Sequence, residues 1–193
     1  VFHARRAPAR SSWIIKEDLM LTTIVLVVVA LIAIVLIAAL ARPNTFRIER
    51  STTIAAPPEK IVALIDDFHA WDQWSPWEKI DPTMTRTFEG PERGVGAIYG
   101  WAGNGKAGAG RMEILEDTPA KVLIKLDFIK PFEAHNMAIF TLEPQGDATR
   151  VVWAMEGGQP FIAKLMGLVF NMEKMVGPDF EKGLASLKAS AEG

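Results

Sequence analysis

The sequence predicts an α+β protein: one curved antiparallel sheet wrapped around a long C-terminal helix, preceded by a single transmembrane helix. Three observations carry this expectation. Residues 19–41 are free of charge and almost wholly apolar, residues 83–156 consist of short alternating runs between turn residues, and helical spacing returns over 159–191. One antiparallel sheet that must cover its own apolar face has to curl, and the last helix is the only element long enough to fill the concave side. With 193 residues, 49% hydrophobic and 23% charged, the composition suits one globular domain. The mean hydropathy of +0.15 is high for such a domain, and stretch 19–41 holds most of the surplus.

The first element, Leu19 to Ala41, contains no charge, and its only polar residues are Thr22 and Thr23. As a helix it is roughly 34 Å long, enough to span a hydrocarbon core of about 30 Å with some tilt. A core helix would show a polar face, and a signal peptide has a shorter apolar run, so both fit worse, although Ala39-Leu40-Ala41 has a small-x-small cleavage pattern. Arg42 and Pro43 stop the helix. Residues 1–18 lack strong periodicity and read as a disordered tail or as sequence ahead of a start at Met20. Four basic residues precede the helix, and Arg42, Arg47 and Arg50 follow it closely, a bias too small to orient it. A start at Met20 would leave only the following positives and keep the domain cytoplasmic.

Residues 44–193 form the expected soluble domain, enough for one sizeable core. Phe46 to Ile54 alternates as a strand, and Pro57-Pro58 opens a helix that runs to about Asp67. Trp71, Trp74 and Trp77, three apart, mark a short helical turn. Six strands follow: 84–88, 94–101, 108–116, 121–128, 135–142 and 149–156. In the fourth, Val122, Ile124, Leu126 and Phe128 share one face opposite Lys121, Lys125 and Asp127, so one side is buried and the other wet. Helical spacing resumes at Gln159, with an interruption expected at Gly177-Pro178 and the buried face continuing through Phe180, Leu184 and Leu187. This domain carries 16 basic and 21 acidic residues, a balance that does not suit nucleic acid. The absence of cysteine excludes disulfides, thiolate metal sites and cysteine nucleophiles.

Glycine-rich 100–108 satisfies the letters of phosphate-binding motifs, but it joins two strands instead of opening a helix, and Ala107 stands where a P-loop needs Ser or Thr. His69 beside Asp66, Asp67 and Asp72 reads as capping and solvation at a helix end, so no metal site and no cofactor is expected. His135 opens a strand where it could face a cavity mouth as a polar contact, and no catalytic set is expected.

Several phrases carry a resemblance: Ile54-Ala-Ala-Pro-Pro-Glu-Lys-Ile61, Trp71-Asp-Gln-Trp-Ser-Pro-Trp77, Thr149-Arg-Val-Val-Trp153 and Phe180 to Lys188. With the element order, they resemble the START-like, or SRPBCC, superfamily and its helix-grip fold over about 46–189. Within it the chain is similar to polyketide cyclase/dehydrase-type proteins that have an N-terminal membrane helix. The resemblance implies a deep apolar cavity for a hydrophobic small molecule or lipid and carries over no catalytic residue. The expected lining joins Met112, Ile114, Ile124, Leu126, Phe128, Trp153 and Met155 of the sheet to Phe161, Leu165, Leu168 and Met172. Trp74, Trp77, Tyr99, Trp101 and His135 are expected nearer the opening, and alternation alone leaves open which parity faces inward at each strand. A real cavity should reach about 300 Å³ or more.

Three functions compete. The first is a membrane-tethered binding domain for a hydrophobic small molecule or lipid. The second is a cyclase or dehydrase, which requires pocket acids among Glu113, Asp127, His135 and Glu156. The third is a stress or chaperone-related interaction protein with a filled core. If 19–41 spans the membrane uncleaved, the chain should resist alkaline carbonate extraction and its intact mass should include this segment; release, or a mature N-terminus at Arg42, contradicts it.

Overall fold

A computed structural model describes residues 11–193; residues 1–10, with His3 and most of the expected tail, lie outside the described residues. Helix α1 runs Ser11–Leu40, starting earlier than the apolar stretch. No glycine or proline lies between Ser11 and Leu40, so the charged residues end the apolar band without ending the backbone ladder. Asp18–Leu40 is long and apolar enough to cross a membrane. Inside it Thr22 and Thr23 donate their hydroxyls to the carbonyls of Asp18 and Leu19, which satisfies both without water.

The domain that follows is built from β1 (Thr45–Ile54), α2 (Pro58–Ile65), a 3-10 turn (Phe68–Ala70) and α3 (Trp71–Trp74). After these come β2 (Thr85–Glu89), β3 (Ile98–Ala102), β4 (Ala109–Thr118), β5 (Lys121–Lys130), β6 (Ala134–Gln145) and β7 (Ala148–Gly158), then α4 (Phe161–Met166) and α5 (Met172–Glu192). Seven strands form one antiparallel sheet in the order β1-β7-β6-β5-β4-β3-β2. The sheet curls at β4, where the pairing with β5 shifts register between Ala109 and Gly110 and again between Ile114 and Glu116. Strand β3 starts at Ile98, four residues later than expected, because Gly94 and Gly96 take positive φ in a turn.

Helix α5 lies across the concave side, and its inward residues are Phe180, Leu184, Leu187 and Ala191. The centre of the core is aromatic. Trp153 of β7 stacks on Phe180 of α5 at 4.2 Å and on its cross-strand partner Phe140 at 5.0 Å, and the edges of Trp74 and Trp77 close on it at 5.6 and 5.4 Å.

The expected single C-terminal helix is corrected. The break falls at 167–171, where Asn171 accepts a hydrogen bond from the Lys174 amide and starts a new helix. Gly177-Pro178 does not interrupt α5. Arg50 of β1 reaches across the helix at Gly177, where a side chain would collide with its guanidinium, and pairs with Glu173 (2.5 Å) and Glu181 (2.7 Å) on either side of Pro178. The helix is thus held through the position where proline removes a backbone donor.

Since the core cluster draws no residue from α1 among the described residues, residues 44–193 expressed alone should unfold cooperatively. A Cβ on Gly183 would sit 2.7 Å from Trp153 and 3.0 Å from Pro76, whereas one on Gly105 meets nothing within 4 Å. Denaturant unfolding should show Gly183→Ala losing about 1–3 kcal/mol and Gly105→Ala nearly unchanged. Equal stability of the two variants would contradict this packing.

Candidate functional site

Between the concave face and the first half of α5 the structure leaves a cavity of about 250 Å³. Its sheet wall is Tyr99 and Trp101 of β3, Met112 of β4, Leu126 and Phe128 of β5, Ala138 of β6, and Trp153 and Met155 of β7. Val176 and Phe180 supply the helix wall. The segment from Trp71 to Met84 covers one side with Trp77, Glu78 and Ile80, and Lys106 and Ala107 of the β3–β4 loop border another. Strand alternation explains the wall: Met112 pairs with Leu126, and Ala138 with Met155, so these side chains share the inward face.

Eight of the expected lining residues therefore meet here: Trp77, Tyr99, Trp101, Met112, Leu126, Phe128, Trp153 and Met155. The other eight do not. Ile114 and Ile124 face inward but pair two residues further along the strands, where the interior is solid core; both are fully buried. Trp74 is also core, its indole N–H donating to the Leu64 carbonyl at 2.7 Å. Phe161, Leu165, Leu168 and Met172 are carried away by the break after Met166, because α4 packs on the end of α1 and not on the concave face. The volume falls short of the expected 300 Å³ because the aromatic stack fills the inner part of the space.

His135 is the remaining correction. Asn136, Ala138 and Phe140 point inward, so His135 points outward, beside its ladder partner Asp127 at 2.7 Å. It lines a groove on the convex face with Arg47, Lys125, Met137 and Glu156. Burial opposes ionisation of Asp127, but hydrogen bonds from His135 and Lys125 outweigh it and hold the carboxyl below its ordinary value. Glu113 and Glu156 also lie outside the cavity, paired with Arg111 and Arg47. At the other candidate cluster, Asp67 caps the 3-10 turn through the His69 amide, and Asp66 turns inward to Arg93 at 2.7 Å.

The carboxylate among the described lining residues is Glu78, which periodicity alone does not single out. Its Oε1 accepts from the Tyr99 hydroxyl at 2.6 Å and its Oε2 from Arg86 Nε at 2.7 Å. Burial pushes the Tyr99 phenol well above its ordinary value, and the Glu78 carboxylate adds to the shift, so the phenol stays a neutral donor. Arg86 offers the missed signal: on β2 it shares a parity with Phe88, and an arginine on the inward side of a sheet requires an acidic partner. Trp153 contributes a buried indole N–H with no hydrogen-bond partner.

A second carboxylate frames the mouth. Asp81 is almost fully buried; it accepts from the Thr83 amide (2.9 Å) and hydroxyl (2.7 Å) and from the Asn104 amide (2.7 Å), tying the segment before β2 to the β3–β4 loop.

A family model described as polyketide cyclase / dehydrase and lipid transport matches residues 45–192. The chain belongs to this family. Its fold is the helix-grip fold, shared with the crystal structure of protein CV1439 from Chromobacterium violaceum at a TM-score of 0.54 and 18% identity, over 79% of this chain and 99% of that one. The Aha1 dimer from Colwellia psychrerythraea has a similar structure, with a TM-score of 0.54 and 18% identity over 76% and 96% of the chains. Ara h 8.0201 is similar at a TM-score of 0.50 and 13% identity over 77% and 96%. These identities establish shared fold alone. No curated protein matches the chain.

The Asp81 clamp makes a pH prediction. The Asn104 amide, then the Thr83 hydroxyl and amide, hold the Asp81 carboxyl below its ordinary value. A carboxyl depressed in the folded state stabilises above its unfolded pKa, and that contribution is lost as pH falls through the lower folded value. The Asn104 amide resonance should therefore titrate with a midpoint below the ordinary aspartate range, and Asp81→Ala should abolish the transition. A midpoint within the ordinary range would contradict the clamp.

Proposed function

We propose that this chain is a membrane-tethered domain that takes up one hydrophobic small molecule or lipid in the cavity between α5 and the sheet. The observation that carries this reading is an apolar void whose carboxylate, Glu78, has both oxygens already engaged. An acid or base for cyclisation or dehydration needs a free proton position facing the substrate. Among the described lining residues Glu78 is the carboxylate, and it is spent on Tyr99 and Arg86; Glu113, Asp127, His135 and Glu156 lie on the other side of the sheet. The remaining lining is mainly apolar, with Ser75, Lys106 and the Trp153 indole N–H as further polar groups, a balance that suits binding over turnover.

The volume is small beside the roughly 300–1,000 Å³ of common ligand pockets. It suits a compact ligand, or one end of a longer chain whose remainder leaves by the mouth. Met112, Met155 and Met84 make that wall deformable. Tethering through Asp18–Leu40 raises the local concentration of a membrane-dissolved ligand without any new contact. The family description, which includes lipid transport, supports the same reading.

Titration of a fluorescent fatty acid into residues 44–193 tests it. Wild type should bind saturably at micromolar concentration. Ala138→Leu, which places a larger side chain in the void, should weaken binding at least about tenfold, the equivalent of about 1.4 kcal/mol. Trp153→Ala should cost about 3–5 kcal/mol of stability while enlarging the site and changing probe preference. A folded wild-type domain that binds no apolar probe at that concentration contradicts the proposal.

A further inference from the structure

The strand register fixes which loops lie at the same end of the domain as α1. Thr45 at the start of β1 pairs with Gly158, Asn136 with Gly157, Phe128 with Ala134, and Gly110 with Phe128. The β5–β6 loop, the β3–β4 loop and α4 therefore all lie at the end where α1 enters. Helix α4 packs against the last turns of α1, where Ala39 is fully buried. Lys164 of α4 donates to the Asn44 side chain at 2.6 Å, and the Gln159 amide donates to the Asn44 carbonyl at 2.7 Å. This junction fixes α4 to the base of α1.

At this same end large apolar side chains turn to solvent. Ile129 at the end of β5 and Phe132 of the β5–β6 loop are 58% and 75% exposed, and Val169, just after α4, is 81% exposed. Ile162, Met166 and Phe170 are exposed beside it. A soluble surface rarely gathers this much apolar area without a partner. The patch flanks the point where α1 leaves the domain, so whatever covers it lies in the plane of the bilayer that α1 enters. Lys130 and Glu133 bracket Phe132 with opposite charges, which favours an apolar contact over one that needs anionic lipid.

We propose that these six side chains form a bilayer-contact surface that seats the α1 end of the domain on the membrane, with Phe132 and Val169 at the boundary between headgroups and acyl chains. This proposal rests on the reading of α1 as a membrane span and adds a second, peripheral contact to it. It also has a consequence for exchange. Lys106, Ala107 and Phe128 border the cavity at this same end, so a ligand passes between bilayer and cavity over a short path with little exposure to water.

The chain lacks cysteine, so single substitutions can be labelled without background. The full chain, reconstituted in phosphatidylcholine vesicles containing doxyl-labelled lipid, is labelled with a bimane at Phe132→Cys, Val169→Cys, Val95→Cys or Val28→Cys. Val95 serves as the control because it is exposed at the opposite end, and Val28 lies within α1. Emission at positions 28, 132 and 169 should be largely quenched, and emission at 95 retained. If 28 is quenched while 132 and 169 behave like 95, the contact surface is refuted and the tether stands. If 28 is not quenched, the tether reading fails and the contact surface with it.

Discussion

Trp153 has Phe180 of the last helix against its indole at 4.2 Å and Phe140 of the neighbouring strand at 5.0 Å, and the rest of the domain is arranged around that stack. It sets how closely α5 approaches the sheet, because Gly183 must lack a side chain where the helix crosses the indole. It also divides the interior. On one side, Ile114, Ile124 and Trp74 close into solid core. On the other, the sheet has curled away at the β4 bulges and the helix does not fill the gap, leaving the cavity. Large aromatic faces bury much area with few rotamers, so the stack can hold helix and sheet together beside an unfilled space.

The two buried carboxylates of this region are satisfied within the protein, while the Trp153 indole N–H has no hydrogen-bond partner among the described residues. Glu78 is satisfied by Tyr99 and Arg86, and Asp81 by three donors from two loops. A buried carboxylate left half-satisfied would draw water or a cation into the site; fully bonded, it needs neither. The two carboxylates also pin the cover segment to the strands, so the mouth is framed by directional bonds while the interior stays deformable.

Much of this was legible in the sequence because the signals were periodic. Alternation in Val122, Ile124, Leu126 and Phe128 placed β5 and its buried face, and the charge-free stretch located α1. Proline and glycine at 177–178 are strong local signals for a break, yet the last helix breaks at 167–171. The structure overrides them with a tertiary one, Arg50 bridging Glu173 and Glu181 from another strand. Asn171, a good N-cap residue, was the local clue to the real break. Half of the cavity lining was misassigned for the same kind of reason. Parity says which side of a sheet a residue faces, but how far along the strand the void lies depends on where the aromatic stack sits. Glu78 was missed because a charge after a tryptophan turn reads as solvated until Arg86 and Tyr99 are brought to it from β2 and β3.

The central claim is that the space beside Trp153 holds a hydrophobic molecule. Native mass spectrometry of the full chain, purified from membranes and released in the gas phase, tests it without presuming the ligand. The account predicts a population carrying one apolar small molecule per chain, depleted when Ala138→Leu fills the void. A bare protein mass in both forms, under conditions that retain bound lipid on other proteins, would contradict it.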